Sequence, residues 1–213
     1  LSDKSYQIVV GAEGPFTRTY KNSKIALWDG KERGYHPDST VKKGEVLLFD
    51  EVAYEYVEVN MVEDKLLLKK RKDYSDIVST SPGYLALNFQ GKEFTSSKTI
   101  SLDALKGKYV FLDFWGTWCA PCVAEIPALK EVYSSFDRDK VEFIGIAVSQ
   151  KPELLKPFLE KRGIAWPQIV SDAIADQYKV TYFPTTFLIG PDGRIIAKDL
   201  RAEELYLKLK ELL

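Results

Sequence analysis

Tyr109 to Pro127 reads YVFLDFWGTWCAPCVAEIP. Its opening residues are an apolar strand broken only by Asp113, followed by a tight turn and then two cysteines with two residues between them. Cys119 and Cys122 are the only cysteines in 213 residues. Their spacing lets the two sulfurs close a disulfide across a single turn. A strand ending at Phe114 delivers Cys119 to the first turn of a helix that begins at Ala120. There, unpaired backbone N–H groups and the helix dipole favour an anionic sulfur over a neutral thiol. Cys119 is thus the expected attacking thiolate and Cys122 the expected resolving partner.

Ligand arithmetic weighs against the other common use of C-x-x-C. A closed zinc site needs two more Cys or His ligands, and the only histidine, His36, lies far away in sequence in a Gly/Pro-flanked loop. No metal is expected. A structural disulfide framework usually uses several bridges, whereas this pair closes a loop too short to constrain the unfolded chain much. Redox catalysis fits such economy better.

WGTWCAPCVAEIP resembles the thioredoxin superfamily and, within it, the TlpA/ResA-like branch with its W-C-x-P-C-x-x-E-x-P signature. The resemblance covers roughly residues 84–213. It implies an α/β thioredoxin-like fold, a mixed central sheet flanked by helices. It also implies a redox-active Cys119–Cys122 disulfide that needs no further cofactor. Phe183-Pro184-Thr185-Thr186-Phe187 looks like the segment that in such folds carries a cis proline beside the cysteines; from the residues alone, an X-Pro bond is expected to be trans. In that position the Phe183 backbone offers one N–H and one C=O to an extended substrate chain, a short β-augmentation. With Phe183 and Pro184, the residues Trp118, Ala120 and Pro121 beside the attacking sulfur make up the expected substrate-binding set. Trp115 is expected in the core.

Two acids are candidates for moving protons. Asp113 lies six residues before Cys119 on an apolar strand, where burial would raise its pKa toward neutrality. Strand alternation equally allows it to face solvent. The matching aspartate of thioredoxins is associated with deprotonating the resolving cysteine, while many TlpA/ResA-like proteins carry a non-acidic residue there. Glu125, three residues after Cys122, falls on the same helical face one turn on. It resembles the active-site glutamate of the ResA-like group, although a surface glutamate favoured by the helix dipole would look the same.

Composition bounds the rest. With 45% apolar and 29% charged residues, the chain is long enough for one large or two small domains. A formal net charge of −1 provides no field that selects nucleic acid, and no nucleic-acid role is expected. No apolar run reaches the length of a membrane span, and LSDKSYQIVV lacks the basic and apolar regions of a secretory signal. A chain starting at Leu1 fits a mature or trimmed form.

Residues 1–80 read as a mostly-β domain, a sandwich or small barrel. The runs are IVVGA (8–12), KIALWDG (24–30), EVLLFDEV (45–52), YEYVEVNMV (54–62) and KLLLKK (65–70), with turn formers between them. Tyr54 and Tyr56 against Glu55 and Glu58 suggest one covered and one wet face. The KKRK run at 69–72 reads as a solvated loop. STSPG (79–83) is the expected linker.

Beyond it, YLALNF (84–89) and EFTSSKTISL (93–102) read as a hairpin around Gln90-Gly91-Lys92, and Asp103 to Lys108 as a helical turn. The apolar run VEFIGIAVS (141–149) and the helix PELLKPFLEKRG (152–163) predict strands buried on both faces between helices. Pro127 is expected to kink its helix and Pro157 to bend or split its own. WPQIV (166–170) predicts a strand and SDAIADQYKV (171–180) a helix. Thr186 to Ile189 and Arg194 to Lys198 predict a hairpin around Pro191-Asp192-Gly193. AEELYLKLKELL places Leu205, Leu209, Leu212 and Leu213 on one helical face.

The function expected from residues 84–213 is a thiol-disulfide oxidoreductase, most simply a reductase of protein disulfides. No cation or histidine lies between the cysteines to stabilise a thiolate strongly, which favours a reductant over an oxidant near −120 mV. The resemblance implies a periplasmic or otherwise extracytoplasmic protein re-reduced by a membrane thiol carrier, monomeric or homodimeric. A disulfide isomerase, were residues 1–80 to dimerise, and a binding protein with a merely structural disulfide are the alternatives. A peroxiredoxin would need threonine where Gly116 stands.

Overall fold

The computed structural model describes residues 7–11, 24–28, 40–42, 45–49, 52–60, 65–71 and 77–213. The chain divides into two compact units, 1–77 and 78–213. In the first, β1 (Gln7–Gly11), β2 (Lys24–Trp28) and β3 (Thr40–Lys42) form one antiparallel sheet in that order. A second antiparallel sheet holds β4 (Val46–Phe49), β5 (Val52–Asn60) and β6 (Lys65–Lys70).

Two sequence readings change in this unit. Tyr56 is buried while Tyr54 and Glu55 are half-buried, and the register with β6 slips between Tyr56 and Glu58, so no simple two-face alternation holds. Lys69 and Lys70 belong to β6 rather than to a loop, Lys69 standing opposite Glu55. His36, Lys72 and the turn residues 12–15, 29–30, 34–38, 43–44 and 63–64 lie outside the described residues.

The expected linker 79–83 is part of the second unit. Ser79 N–H donates to Leu85 C=O at 2.9 Å and Gly83 N–H to Ile195 C=O at 2.8 Å, and Thr80 is buried. The lead-in hairpin also shifts: β7 (Gln90–Lys92) pairs with β8 (Thr99–Ser101), so the expected turn is a strand. The cause is Glu93, whose carboxylate accepts from Thr95 N–H at 3.0 Å, from the Thr95 hydroxyl and from Ser96 N–H, folding 93–98 into the turn. Burial pushes the Glu93 carboxyl up, but hydrogen bonding from the Ser96 side chain, the Thr95 and Ser96 amides and the Thr95 hydroxyl together brings it down to about 2. Only Asp103–Leu105 of the expected helical turn is helical, as a 3-10 turn.

The central sheet runs β11-β10-β9-β12-β13. β9 (Tyr109–Trp115), β10 (Val141–Ala147) and β11 (Gln168–Val170) are parallel. β12 (Thr185–Ile189) lies antiparallel to β9, and β13 (Ile195–Lys198) antiparallel to β12. Helices α1 (Ala120–Ser135), α2 (Pro152–Arg162), α3 (Asp172–Gln177) and α4 (Ala202–Leu212) complete the unit. Alternation along β9 sends Phe111 and Trp115 into the core built with Ile126, Leu129, Leu155, Leu205 and Leu209, and Val110, Leu112 and Phe114 into the core with Ile174 and Tyr178. Burial of both faces accounts for the near-continuous apolar runs of β9 and β10.

α1 runs unbroken through Pro127 and α2 through Pro157, so neither proline splits its helix. α2 ends at Gly163 in the left-handed region (φ 62°), where glycine carries no Cβ penalty. Ile126, Leu129 and Val132 are buried, and Tyr133 is half-buried against Phe143 and Trp166. On α4, Leu205 and Leu209 are buried and Leu212 is half-buried, whereas Leu213 is exposed because the helix ends before it.

Candidate active site

The site forms where β9 ends and α1 begins. Cys119 is the N-cap of α1, with extended backbone, and its Sγ accepts from Cys122 N–H at 3.2 Å. That orphan amide thus meets a sulfur before any substrate arrives. Cys119 and Cys122 are joined as a disulfide, with Cα atoms 5.3 Å apart. Each residue is only 4% exposed. Ala120 and Pro121 beside them are exposed, and Pro121 occupies the first helical turn, where its missing N–H leaves no bond unmade.

The turn before the cysteines is tied to the strand next door. Trp118 is 54% exposed, yet its Nε1–H donates to Val148 C=O at 3.2 Å, and the Gln150 amide donates to the same carbonyl at 2.9 Å. Thr117 Oγ1 lies 2.9 Å from Gln150 Oε1, the hydroxyl donating. The Trp118 ring meets Phe183 edge-on, centroids 5.1 Å apart. Trp115 by contrast is buried, its Nε1–H donating to Gln168 Oε1 at 2.9 Å.

On the facing segment the Phe183–Pro184 peptide bond is cis and Pro184 is buried. The N–H and C=O of Phe183 take no hydrogen-bond partner among the described residues. Thr185 Oγ1 donates to Tyr182 C=O at 2.7 Å and Thr186 Oγ1 to Leu200 C=O at 3.0 Å, so the start of β12 is held from both sides.

Asp113 shares the side of β9 that carries Phe111 and Trp115, and therefore faces α1 rather than solvent. It is 6% exposed, and its Oδ1 is buried without a partner. A pocket with room for about one water molecule is lined by Asp113, Cys122, Glu125, Pro184, Thr186 and Arg201 among others. Burial raises the Asp113 carboxyl to about 7; the Arg201 guanidinium opposes that rise and the Glu125 carboxylate adds to it. Glu125 is half-buried and its Oε2 accepts from Ala202 N–H at 3.1 Å.

The sequence-expected residues therefore fall into two groups. Cys122, Asp113, Glu125 and Pro184 share one pocket, and Trp118 touches Phe183 at the surface beside them. Arg201, Thr186 and Gln150 were not anticipated. Arg201 stands just ahead of an amphipathic helix, and nothing in the sequence connects that position to Asp113, 88 residues earlier. No group of described residues is arranged to hold a metal ion, and no described helix is long and apolar enough to cross a membrane.

Residues 82–198 match the model of the AhpC/TSA family. Thiol-disulfide oxidoreductase ResA of Bacillus subtilis (strain 168) is 39% identical over 120 residues, 55% of this chain and 66% of the relative. ResA of Bacillus thuringiensis (strain Al Hakam) is 34% identical over 127 residues, 59% of this chain and 70% of the relative. The chain thus spans about two thirds of the length of these relatives. Among solved structures, the thioredoxin domain of a thiol-disulfide oxidoreductase from Bacteroides vulgatus aligns with a TM-score of 0.58 at 28% identity, covering 62% of this chain and 97% of that one. A C-x-x-C pair at a helix start, on a mixed sheet with the order found here, is thus a thioredoxin-like fold, and the chain belongs to the AhpC/TSA family, among the ResA-type thiol-disulfide oxidoreductases.

Proposed function

We propose that this protein reduces disulfides in protein substrates, with the Cys119–Cys122 pair as its only redox group. The observation that carries the reading is the convergence of Cys122, Asp113, Glu125 and Pro184 on one pocket. In the reduced enzyme, Cys119 thiolate attacks a substrate sulfur; the substrate S–S bond breaks, a mixed disulfide forms and the other substrate sulfur leaves as a thiolate. Cys122, losing its proton to the nearby carboxylates, then attacks Cys119 Sγ. The Cys119–Cys122 bond forms, the second substrate thiolate leaves, and two electrons have passed to the substrate.

Each remaining group has a role in this scheme. A carboxyl near pH 7 exchanges a proton at little cost, which suits Asp113 as acceptor from Cys122. Glu125 sits in the same pocket and sets the local charge. The unpartnered N–H and C=O of Phe183 pair with an extended substrate segment, while the Trp118 and Phe183 rings flank it. We place the protein outside the cytoplasm, re-reduced by a membrane thiol carrier.

Insulin reduction tests the reading. Wild type should precipitate insulin B chain in the presence of a dithiol donor, Cys119→Ser should not, and Cys122→Ala should accumulate mixed disulfide. Undiminished activity in the Cys119→Ser variant would reject it, and a midpoint potential above about −150 mV would reject the reducing direction.

A further inference from the structure

The Arg201-Ala202 step at the start of α4 touches both halves of the site. Arg201 Nη1–H donates to Pro184 C=O at 3.3 Å, and the next amide, Ala202 N–H, donates to Glu125 Oε2 at 3.1 Å. The backbone that carries them is itself held. Arg201 N–H donates to Glu204 Oε2 at 2.9 Å, and Leu200 C=O accepts from Thr186 Oγ1 at 3.0 Å. The guanidinium therefore leaves a pinned main chain and enters the pocket as the one cation among its lining residues. The other charged groups facing that pocket are Asp113 from β9 and Glu125 from α1, and Cys122 lines it too as a disulfide sulfur.

We propose that Arg201 is a positioning residue: it fixes the Pro184 carbonyl, and with it the Phe183 edge, relative to the carboxylates, while its charge offsets the two acids placed beside Cys122. The inference rests on the role given above to Asp113. Without Arg201, burial and Glu125 would both push the Asp113 carboxyl up with nothing opposing them. Asp113 would then hold its proton too tightly to accept another from Cys122 near neutrality. Lysine would keep the charge without the planar fork, so charge and geometry can be separated.

The test is a carboxyl 13C NMR titration of the oxidised full chain, with the Asp113 resonance assigned by its loss in Asp113→Asn. Arg201→Gln should move the Asp113 midpoint up by roughly one pH unit or more, and Arg201→Lys should return most of that shift. In insulin reduction, Arg201→Gln should lower kcat and raise KM several-fold, and Arg201→Lys should recover kcat more than KM. Arg201→Met serves if the glutamine variant does not fold. An unchanged midpoint in Arg201→Gln or Arg201→Met, or one displaced as far in Arg201→Lys, would overturn the inference. Asp113→Asn enzyme resolving mixed disulfides with the wild-type pH profile would instead sink the role of Asp113, and the titration would still decide Arg201.

Discussion

The backbone N–H of Ala202 donates to Glu125 Oε2 at 3.1 Å, so a side chain on α1 satisfies a first-turn amide of α4. Such amides have no partner within their own helix. Glu125 is therefore part of the scaffold as well as of the pocket, and two substitutions separate these roles. Glu125→Gln keeps the accepting oxygen and should change stability by less than about 0.5 kcal/mol. It removes a negative charge beside Asp113, so the Asp113 midpoint should fall below about 7. Glu125→Ala loses the bond as well and should cost about 1 kcal/mol in urea unfolding.

Asp113 makes stability depend on pH in an unusual direction. The carboxyl titrates near 3.8 when unfolded and near 7 when folded, so between those values the folded chain holds one proton more. Stability must then fall as pH rises through that window and level off above it. Asp113→Asn removes this dependence. The oxidised variant should match wild type to within about 1 kcal/mol at pH 4 and exceed it by on the order of 4 kcal/mol at pH 8. Urea midpoints at the two pH values check this, and a wild type that gains stability from pH 4 to 8 through this residue would contradict it.

The chemistry-bearing stretch was legible because its signals are local. Cysteine spacing, an apolar strand and a helix start all sit within Tyr109–Pro127, and each refers to its immediate neighbours. The 93–98 segment was misread for a physical reason: one carboxylate, Glu93, gathers three donors, and such side-chain turns outweigh the turn propensity of Gln90-Gly91-Lys92. STSPG was misread because composition reports turn formers without saying whether their amides find strands, as Gly83 finds Ile195. Whether Asp113 faced core or solvent depended on which side of β9 receives α1. Arg201 reaches the site only through the return of β12 beside β9 and of β13 beside β12, a relation no linear pattern carries.

Gln168 supports the site from behind. It is 1% exposed, accepts from Trp115 Nε1–H and donates to Trp166 C=O at 3.1 Å, above a strand where Gly145 leaves room. A Cβ on Gly145 would stand 2.1 Å from Gln168 Oε1. Gly145→Ala should therefore expel the amide and unpair a buried indole, costing on the order of 2 to 4 kcal/mol in chemical denaturation. Gln168→Leu unpairs the indole without the clash and should cost about 1 to 3 kcal/mol. A glycine variant no less stable than the leucine variant would show that the close approach is relieved by a shift of β11.

Gly116 tests whether Trp118 serves docking rather than sulfur chemistry. A Cβ at 116 would lie 2.6 Å from Trp118 Nε1 and 3.0 Å from the Gln150 amide nitrogen. An indole is rigid, so it must leave as a unit, giving up its bond to Val148 and its edge contact with Phe183. Trp118 is more than half exposed, so the stability cost of Gly116→Ala should stay near 1 kcal/mol or below. If the ring flanks a bound segment, KM for insulin should rise several-fold. The rate with a small disulfide such as hydroxyethyl disulfide, which needs no extended contact, should stay within about twofold of wild type, since no bond to either sulfur has changed. Equal losses on both substrates would instead mean that the turn positions Cys119 itself, and Trp118→Ala separates these outcomes because it removes the ring while leaving the 116–119 backbone free of the clash.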